Sequence, residues 1–163
     1  MLWIVGIIMP AIYLFTYYKA GLYADFGLQV YYLLAAVYGW LAWKFWKRKK
    51  KQEMPITHVP VNLFSYSLAA FFLFWILIYV LLITFTDSNV PVSDSFVNAL
   101  SIVGLWMLSR KFVEQWLVWL VVDAFSCALY FYKGIPFTAS LYFVYTVIAI
   151  FGYRKWLRIM NLA

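Results

Sequence analysis

The chain has 163 residues, of which 67% are apolar and 12% charged, against about 45–50% and about 25% in an ordinary soluble domain, so water is not the solvent for most of it and a soluble enzyme is excluded. Its formal charge of +7 has the sign of a nucleic-acid binder, but six of the thirteen basic residues sit together (Lys44, Lys47, Arg48, Lys49, Lys50, Lys51) and most of the others end apolar runs. No basic face of a soluble fold is present, and nucleic acid is not an expected partner.

Six apolar stretches of near bilayer length, A to F, cover residues 2–17, 26–46, 63–86, 95–109, 112–131 and 137–156. A hydrocarbon core of roughly 30 Å takes about 20 helical residues, so A and D are short and need tilt or flanking tyrosines. The start of A, Met1-Leu2-Trp3-Ile4-Val5-Gly6, lacks the basic region and small-residue cleavage site of a secretory signal and reads as a membrane segment, kinked at Pro10. After B comes the one long link, Lys47 to Asn62, which carries the basic block, Pro55, the lone His58 and Pro60 and reads as an exposed loop. The remaining links are Tyr18 to Asp25, Asp87 to Asp94, Arg110-Lys111 and Lys133-Gly134-Ile135-Pro136. Glu114 falls in the first turn of E, four residues after Arg110, where the helix dipole and an ion pair account for it. With the long loop in the cytoplasm, the block together with Arg110, Lys111, Arg154, Lys155 and Arg158 lies inside and only Lys19 and Lys133 outside. The positive-inside rule then places both termini in the cytoplasm of a multi-pass protein of the plasma (inner) membrane, in contact with lipid headgroups.

The sequence repeats itself. Tyr18-Lys19-Ala20-Gly21 followed by Leu28-Gln29, Tyr32, Ala36, Gly39-Trp40 and Trp43 recurs as Tyr132-Lys133-Gly134 followed by Leu141-Tyr142, Tyr145, Ala149, Gly152-Tyr153 and Trp156. B therefore corresponds to F and A to E, crossing in the same direction, a parallel repeat about an axis along the membrane normal with C as connector. D has no counterpart before A. Either the first half is naturally two helices, or the chain begins one helix late, the choice favoured by the architecture of parallel-repeat transporters. The expected fold is an all-α membrane protein with six transmembrane helices visible in one domain over residues 1–163.

Polar chemistry is sparse. On E, Trp116, Trp119, Asp123, Cys127 and Tyr130 recur at spacings of three and four and share one stripe. Gln29, Tyr32, Ala36 and Trp43 on B, and Tyr142, Tyr145, Ala149 and Trp156 on F, repeat the pattern. Such aromatic stripes also serve as packing or interfacial belts, the reading for Trp43 and Trp156. Asp123 is different, because a charged side chain near the middle of a span costs roughly 2.5–3.5 kcal/mol and must face a wet cavity or a partner. The bland account is a hydrogen bond to Tyr or Ser of a neighbouring helix. One cysteine, Cys127, allows neither a disulfide framework nor a thiolate metal site within one chain. No GxxxxGK[ST], no HExxH and no second intramembrane carboxylate for acid–base work is present, so neither enzyme activity, metal nor cofactor is expected.

The run Arg110-Lys111, Glu114-Gln115-Trp116, Trp119, Val121-Val122-Asp123, Leu129-Tyr130, Tyr132-Lys133-Gly134, Thr138-Ala139, Leu141-Tyr142, Tyr145, Ala149, Gly152-Tyr153 and Trp156 resembles the carboxy-terminal half of the PnuC-type nicotinamide riboside transporters. Lys19 to Asp25, Gly27 to Tyr32 and Tyr38-Gly39-Trp40 resemble the first half. The resemblance implies a single transporter domain built as a seven-helix 3+1+3 bundle of parallel three-helix repeats, commonly trimeric, that takes up a vitamin by facilitated diffusion, with cytoplasmic phosphorylation trapping the product. The family's first helix is missing here, Leu105 stands where some members carry a polar residue, and relatives carry thiamine or riboflavin. Nicotinamide riboside joins a cationic ring, a carboxamide and a ribose. Trp116 and Trp119 suit the ring, Asp123 the ribose hydroxyls, and Gln29 or Asn98 the amide. Thiamine, also a cationic aromatic, is the alternative substrate. The expected site comprises Gln29, Tyr32, Asn98, Trp106, Trp116, Trp119, Asp123, Tyr142 and Tyr145, around a cavity near the midplane. A non-transport membrane protein, such as a lipid-modifying enzyme or assembly factor, would lack that cavity.

Overall fold

A computed structural model describes residues 11–12, 14–15, 23–50, 54–86 and 90–162. Five helices follow in order: α1 (Tyr23–Lys50), α2 (Val61–Phe85), α3 (Pro91–Ser109), α4 (Gln115–Tyr132) and α5 (Pro136–Asn161). They are segments B to F. Of segment A, Ala11, Ile12, Leu14 and Phe15 are helical, and the rest lies outside the described residues. Helices α2 to α5 are long and apolar enough to cross a membrane. The 28 residues of α1 also suffice in length, but its tyrosines, tryptophans and terminal basic residues make it less apolar. The chain divides into two compact units, Met1–Met54 with α1 and Pro55–Ala163 with α2 to α5.

The second unit holds together as membrane helices do, by close approach of small residues. Helix α3 buries Ser95, Ala99, Ser101, Val103, Gly104, Met107 and Ser109, because it packs against α2 on one side and α4 on the other. Ala139 and Ala149 are the buried residues of α5, which packs along α4. Hydroxyls turn back onto their own helices: Ser67 donates to the Leu63 carbonyl at 2.7 Å, Thr84 to Val80 at 2.7 Å, Ser101 to Val97 at 2.8 Å and Thr146 to Tyr142 at 2.8 Å. Without water to serve them, such groups must be satisfied internally. An aromatic ladder ties three helices: Phe71 stacks on Trp75 at 5.6 Å, Trp75 meets Phe96 edge-on at 5.5 Å, and Phe96 reaches Phe125 at 5.2 Å.

Several boundaries differ from the sequence reading. Helix α1 runs from Tyr23 to Lys50 rather than 26–46, so Lys47, Arg48, Lys49 and Lys50 of the expected loop are helical, and α5 runs on to Asn161 rather than 156. Helix α3 starts at Pro91 rather than 95 and is 19 residues long, so D is not short, and Asp94 lies in its first turn. Proline ends helices but also begins them, since the N–H it lacks has no acceptor in the first turn anyway. Helix α4 starts at Gln115 rather than 112. Lys111 adopts φ 56, reversing the chain, and Phe112 and Val113 are spent as buried anchors instead of helix. The link before α2 is not simply an exposed loop. Thr57 receives a hydrogen bond from Val113 N–H at 3.0 Å and donates its own to the Lys111 carbonyl at 3.3 Å. The Glu114 carboxylate accepts from His58 Nδ1 at 2.6 Å and from Val59 N–H at 3.0 Å. Among the described residues the side-chain partner of Glu114 is thus His58, not Arg110. Val59 and Leu63 join Val103, Met107 and Phe112 beneath this strap.

At the other end, α4 closes on Gly134. Ile135 N–H reaches the Tyr130 carbonyl at 2.9 Å and Gly134 N–H the Phe131 carbonyl at 3.1 Å, a paired closure that needs the left-handed φ of 73° at Gly134. Pro136 then opens α5, antiparallel to α4.

Candidate functional site

Helix α4 carries the polar groups, and its geometry sorts them into two adjacent stripes. Residues seven apart fall on nearly one line, about 10 Å from one another along the axis. Trp116, Asp123 and Tyr130 form one such line, which faces α5. At its lower end the Trp116 ring lies so close to Gly152 that a Cβ there would sit 2.6 Å from three ring carbons, and Trp156 meets the ring edge-on at 5.6 Å. At its upper end Tyr130 stacks on Tyr142, with centroids 5.3 Å apart and planes at 8°, and Tyr145 stands edge-on to Tyr142 at 6.1 Å. Asp123 lies midway between these two aromatic clamps.

Asp123 is 7% exposed. Among the described residues its carboxylate has no hydrogen bond and no ion pair, whereas the hydroxyls described above are satisfied by their own helices. Three residues on, Ser126 is 2% exposed and likewise makes no hydrogen bond among the described residues. The bland account of Asp123, a bond to a tyrosine or serine of a neighbouring helix, finds no support among those residues.

The second stripe faces α3. It holds Gln115, Trp119, Val122 and Ser126, and Trp119 Cε2 would lie 3.4 Å from a Cβ at Gly104. Gln115 is 1% exposed, and its Nε2, like Trp116 Nε1, is a buried donor with no acceptor among the described residues. Two adjacent N–H groups without acceptors at the start of α4 are unusual, because an unpaired buried donor costs about 1–3 kcal/mol. Gln115 and Ser126 were not among the expected site residues. The signal for Ser126 was its i+3 spacing from Asp123, and for Gln115 its place beside Trp116.

The other expected residues fall as follows. Tyr142 and Tyr145 join Trp116, Trp119 and Asp123 along α4 and α5. Asn98 is half-buried on α3 and donates to the Asp94 carbonyl at 2.8 Å, one helical turn back. Trp106 turns toward Phe112, 5.9 Å away, in the cluster beneath the strap, a different face from the Asp123 line. Gln29 and Tyr32 are half-buried on α1, in the first unit, where Tyr32 meets Tyr31 edge-on at 5.8 Å. Ala36 and Gly39 of α1 are buried, as is Ala149, the repeat counterpart of Ala36. Among the described residues no group of three or more His, Cys, Asp or Glu is placed to hold a metal ion.

Known proteins resemble this chain over most of its length. A model of the family described as nicotinamide mononucleotide transporter matches residues 1–158. The nicotinamide riboside transporter PnuC of Escherichia coli (strain K12) is 26% identical over 176 aligned residues, covering 93% of this chain and 74% of that protein. The riboflavin/roseoflavin transporter RibM of Streptomyces davaonensis is 32% identical over 66 residues, covering 40% of this chain and 31% of that protein. The crystal structure of the vitamin B3 transporter PnuC superposes with a TM-score of 0.70 at 20% identity, over 98% of this chain and 72% of that chain, and shows that the fold is shared. With four apolar helices of membrane-spanning length among the described residues and this match over nearly its whole length, the chain belongs to the nicotinamide mononucleotide transporter family, the membrane proteins that include the PnuC-type nicotinamide riboside transporters.

Proposed function

We infer that the protein takes up nicotinamide riboside by facilitated diffusion, with phosphorylation in the cytoplasm drawing the flux inward. The observation that carries this reading is Asp123: a carboxylate at mid-span, almost fully buried and without a protein partner among the described residues, held between two aromatic clamps. An ionised group in that position needs a polar or cationic guest to offset its desolvation. Nicotinamide riboside brings ribose hydroxyls for the carboxylate and a cationic ring for the aromatic faces, where a cation–π contact contributes about 0.5–2 kcal/mol. Asn98 of α3 belongs to the proposed site, whereas Trp106 is taken up by the cluster beneath the strap.

The orientation follows from charge. Arg110, Lys111, Arg154, Lys155 and Arg158 cluster where α3 and α5 end and α4 begins, and the positive-inside rule makes that end cytoplasmic. The stripes of α1 and α5 repeat one another in sequence, and the protein works as a homo-oligomer, a trimer by its family resemblance. Coupling to protons or sodium would call for more intramembrane ionisable groups than one carboxylate.

Thiamine shares the cationic aromatic character and is the second reading, while neutral riboflavin draws less from Asp123. The test is calorimetric titration of the purified protein with nicotinamide riboside, thiamine and riboflavin, paired with uptake into vesicles with and without an enclosed riboside kinase. Saturable binding of nicotinamide riboside, with uptake that stops at equal concentrations unless the kinase is present, is expected. Binding of thiamine alone moves the assignment to thiamine, and accumulation against a gradient without kinase refutes facilitated diffusion.

A further inference from the structure

At the end of the second unit remote from the basic residues, three elements bring a carboxylate, an ammonium group and an aromatic wall together. Lys133 Nζ lies 3.2 Å from Asp94 Oδ1 and 5.7 Å from the centre of the Tyr130 ring. Tyr130 is stacked on Tyr142, and Tyr145 closes the wall edge-on. The tethered ammonium therefore occupies a place where any cation would be held, by a negative charge on one side and the face of a π system on the other.

We propose that this is a second binding subsite, an outer station for an aromatic cation, and that Lys133 is its built-in occupant, displaced when the cation arrives. The backbone under Lys133 is fixed by the closure at Gly134, but its side chain is long, unbranched and 29% exposed, so the ammonium swings into water at little desolvation cost. Asp94 is held in the first turn of α3, and the tyrosines are held by one another, so the subsite stays formed when Lys133 leaves. An aromatic cation offers what the ammonium offers, a positive charge for Asp94, and adds a flat face for the rings. The subsite lies on the line that runs from Tyr130 to Asp123, so a guest released from it moves inward about 10 Å along α4 to the carboxylate. This deepens the transport reading by naming the class of substrate selected at the remote end, aromatic cations over neutral aromatics.

The test compares the full-length protein with Lys133→Met and Asp94→Asn, using 1-methylnicotinamide as the cation and nicotinamide as its neutral counterpart. Neither probe carries a ribose, so the outcome does not depend on the riboside assignment. Lys133→Met removes the competing charge and is expected to bind 1-methylnicotinamide about two- to fivefold more tightly than the parent, as an exposed cation–π contact allows, with nicotinamide unchanged. Equal affinity for the cation in both proteins, or equal tightening of both probes, overturns the proposal. If Lys133→Met fails to fold, Asp94→Asn gives the opposite sign: weaker binding of the cation with nicotinamide unchanged, and an unchanged cation affinity overturns the proposal. A parent that transports no riboside while these variants still separate the two probes would refute the transport reading and leave the subsite standing.

Discussion

Gly152→Ala is the sharpest probe of the α4–α5 seam. A methyl group at this position would stand 2.6 Å from Cε3, Cζ3 and Cη2 of Trp116, whereas carbon atoms rest at about 3.5–4.0 Å, so the indole must withdraw by roughly 1 Å. Withdrawal is obstructed by Trp156, edge-on at 5.6 Å, and overpacking of this kind costs about 1–3 kcal/mol. If Trp116 also meets the cationic ring, its displacement forfeits a contact of about 0.5–2 kcal/mol, lowering affinity about two- to thirtyfold. Thermal melting in detergent and calorimetric titration with nicotinamide riboside read the two effects. Gly104→Ala is the internal control, because its methyl would lie 3.1 Å from Val118 Cγ1, a side chain that yields by a few tenths of an ångström, and 3.4 Å from the edge of Trp119. In a Trp116→Phe background the smaller ring leaves room, and the penalty of Gly152→Ala should shrink by more than about 0.5 kcal/mol, the mark of direct coupling. A Gly152→Ala protein that melts and binds like the parent, or that loses as much stability with Phe at 116, would refute the argument.

Asp123→Asn removes an insertion cost of roughly 2.5–3.5 kcal/mol but also a charge-assisted acceptor worth about 1.5–3 kcal/mol to the guest, so folded yield should hold while affinity falls one to two orders of magnitude; a variant that melts early yet binds normally would place Asp123 in the scaffold. Gln115→Leu deletes a buried donor that has no acceptor among the described residues and should raise the melting temperature, since such a donor costs about 1–3 kcal/mol; a lowered melting temperature would show that the amide is satisfied in the working protein. Glu114→Ala severs both ties to the 54–60 strap, and because the pair is partly exposed the loss of stability should stay near 1 kcal/mol, with faster proteolysis between Met54 and Pro60 as the clearer readout; unchanged cleavage would mean that the backbone bonds of Thr57 hold the strap alone.

The helices were legible because they obey one rule each: a run of apolar residues of bilayer length, ended by charge, proline or glycine. Lys133-Gly134-Ile135-Pro136 shows the case at its clearest, since glycine and proline each do there what their backbones dictate, and the turn lies where the sequence put it. Boundaries failed where one residue type has two uses. Pro91 marks the end of a helix as readily as its first turn, and the polar letters before it favoured the wrong choice. Phe112 and Val113 read as the start of an apolar span, yet both side chains are buried, Phe112 in the cluster under the strap, so helix α4 yields three residues to tertiary packing.

The strap itself was beyond reach, because its bonds join residues more than fifty positions apart and neither partner shows an unusual local pattern. Glu114 illustrates the difficulty. Its local setting offered a sufficient explanation in Arg110, and a short-range partner that costs little chain entropy is the default for a surface carboxylate. The fold chose the distant pair because Thr57 and Val59 come to the turn for other reasons: Thr57 pairs with its backbone and Val59 buries its side chain there. With the connector already fixed, the long-range bond carries no further ordering cost. Asp123 is the converse. Its cost could be priced from the sequence alone, since no local group could satisfy a carboxylate in mid-helix, and for that reason the one residue whose environment had to be supplied from outside its own helix was also the one most clearly marked for function.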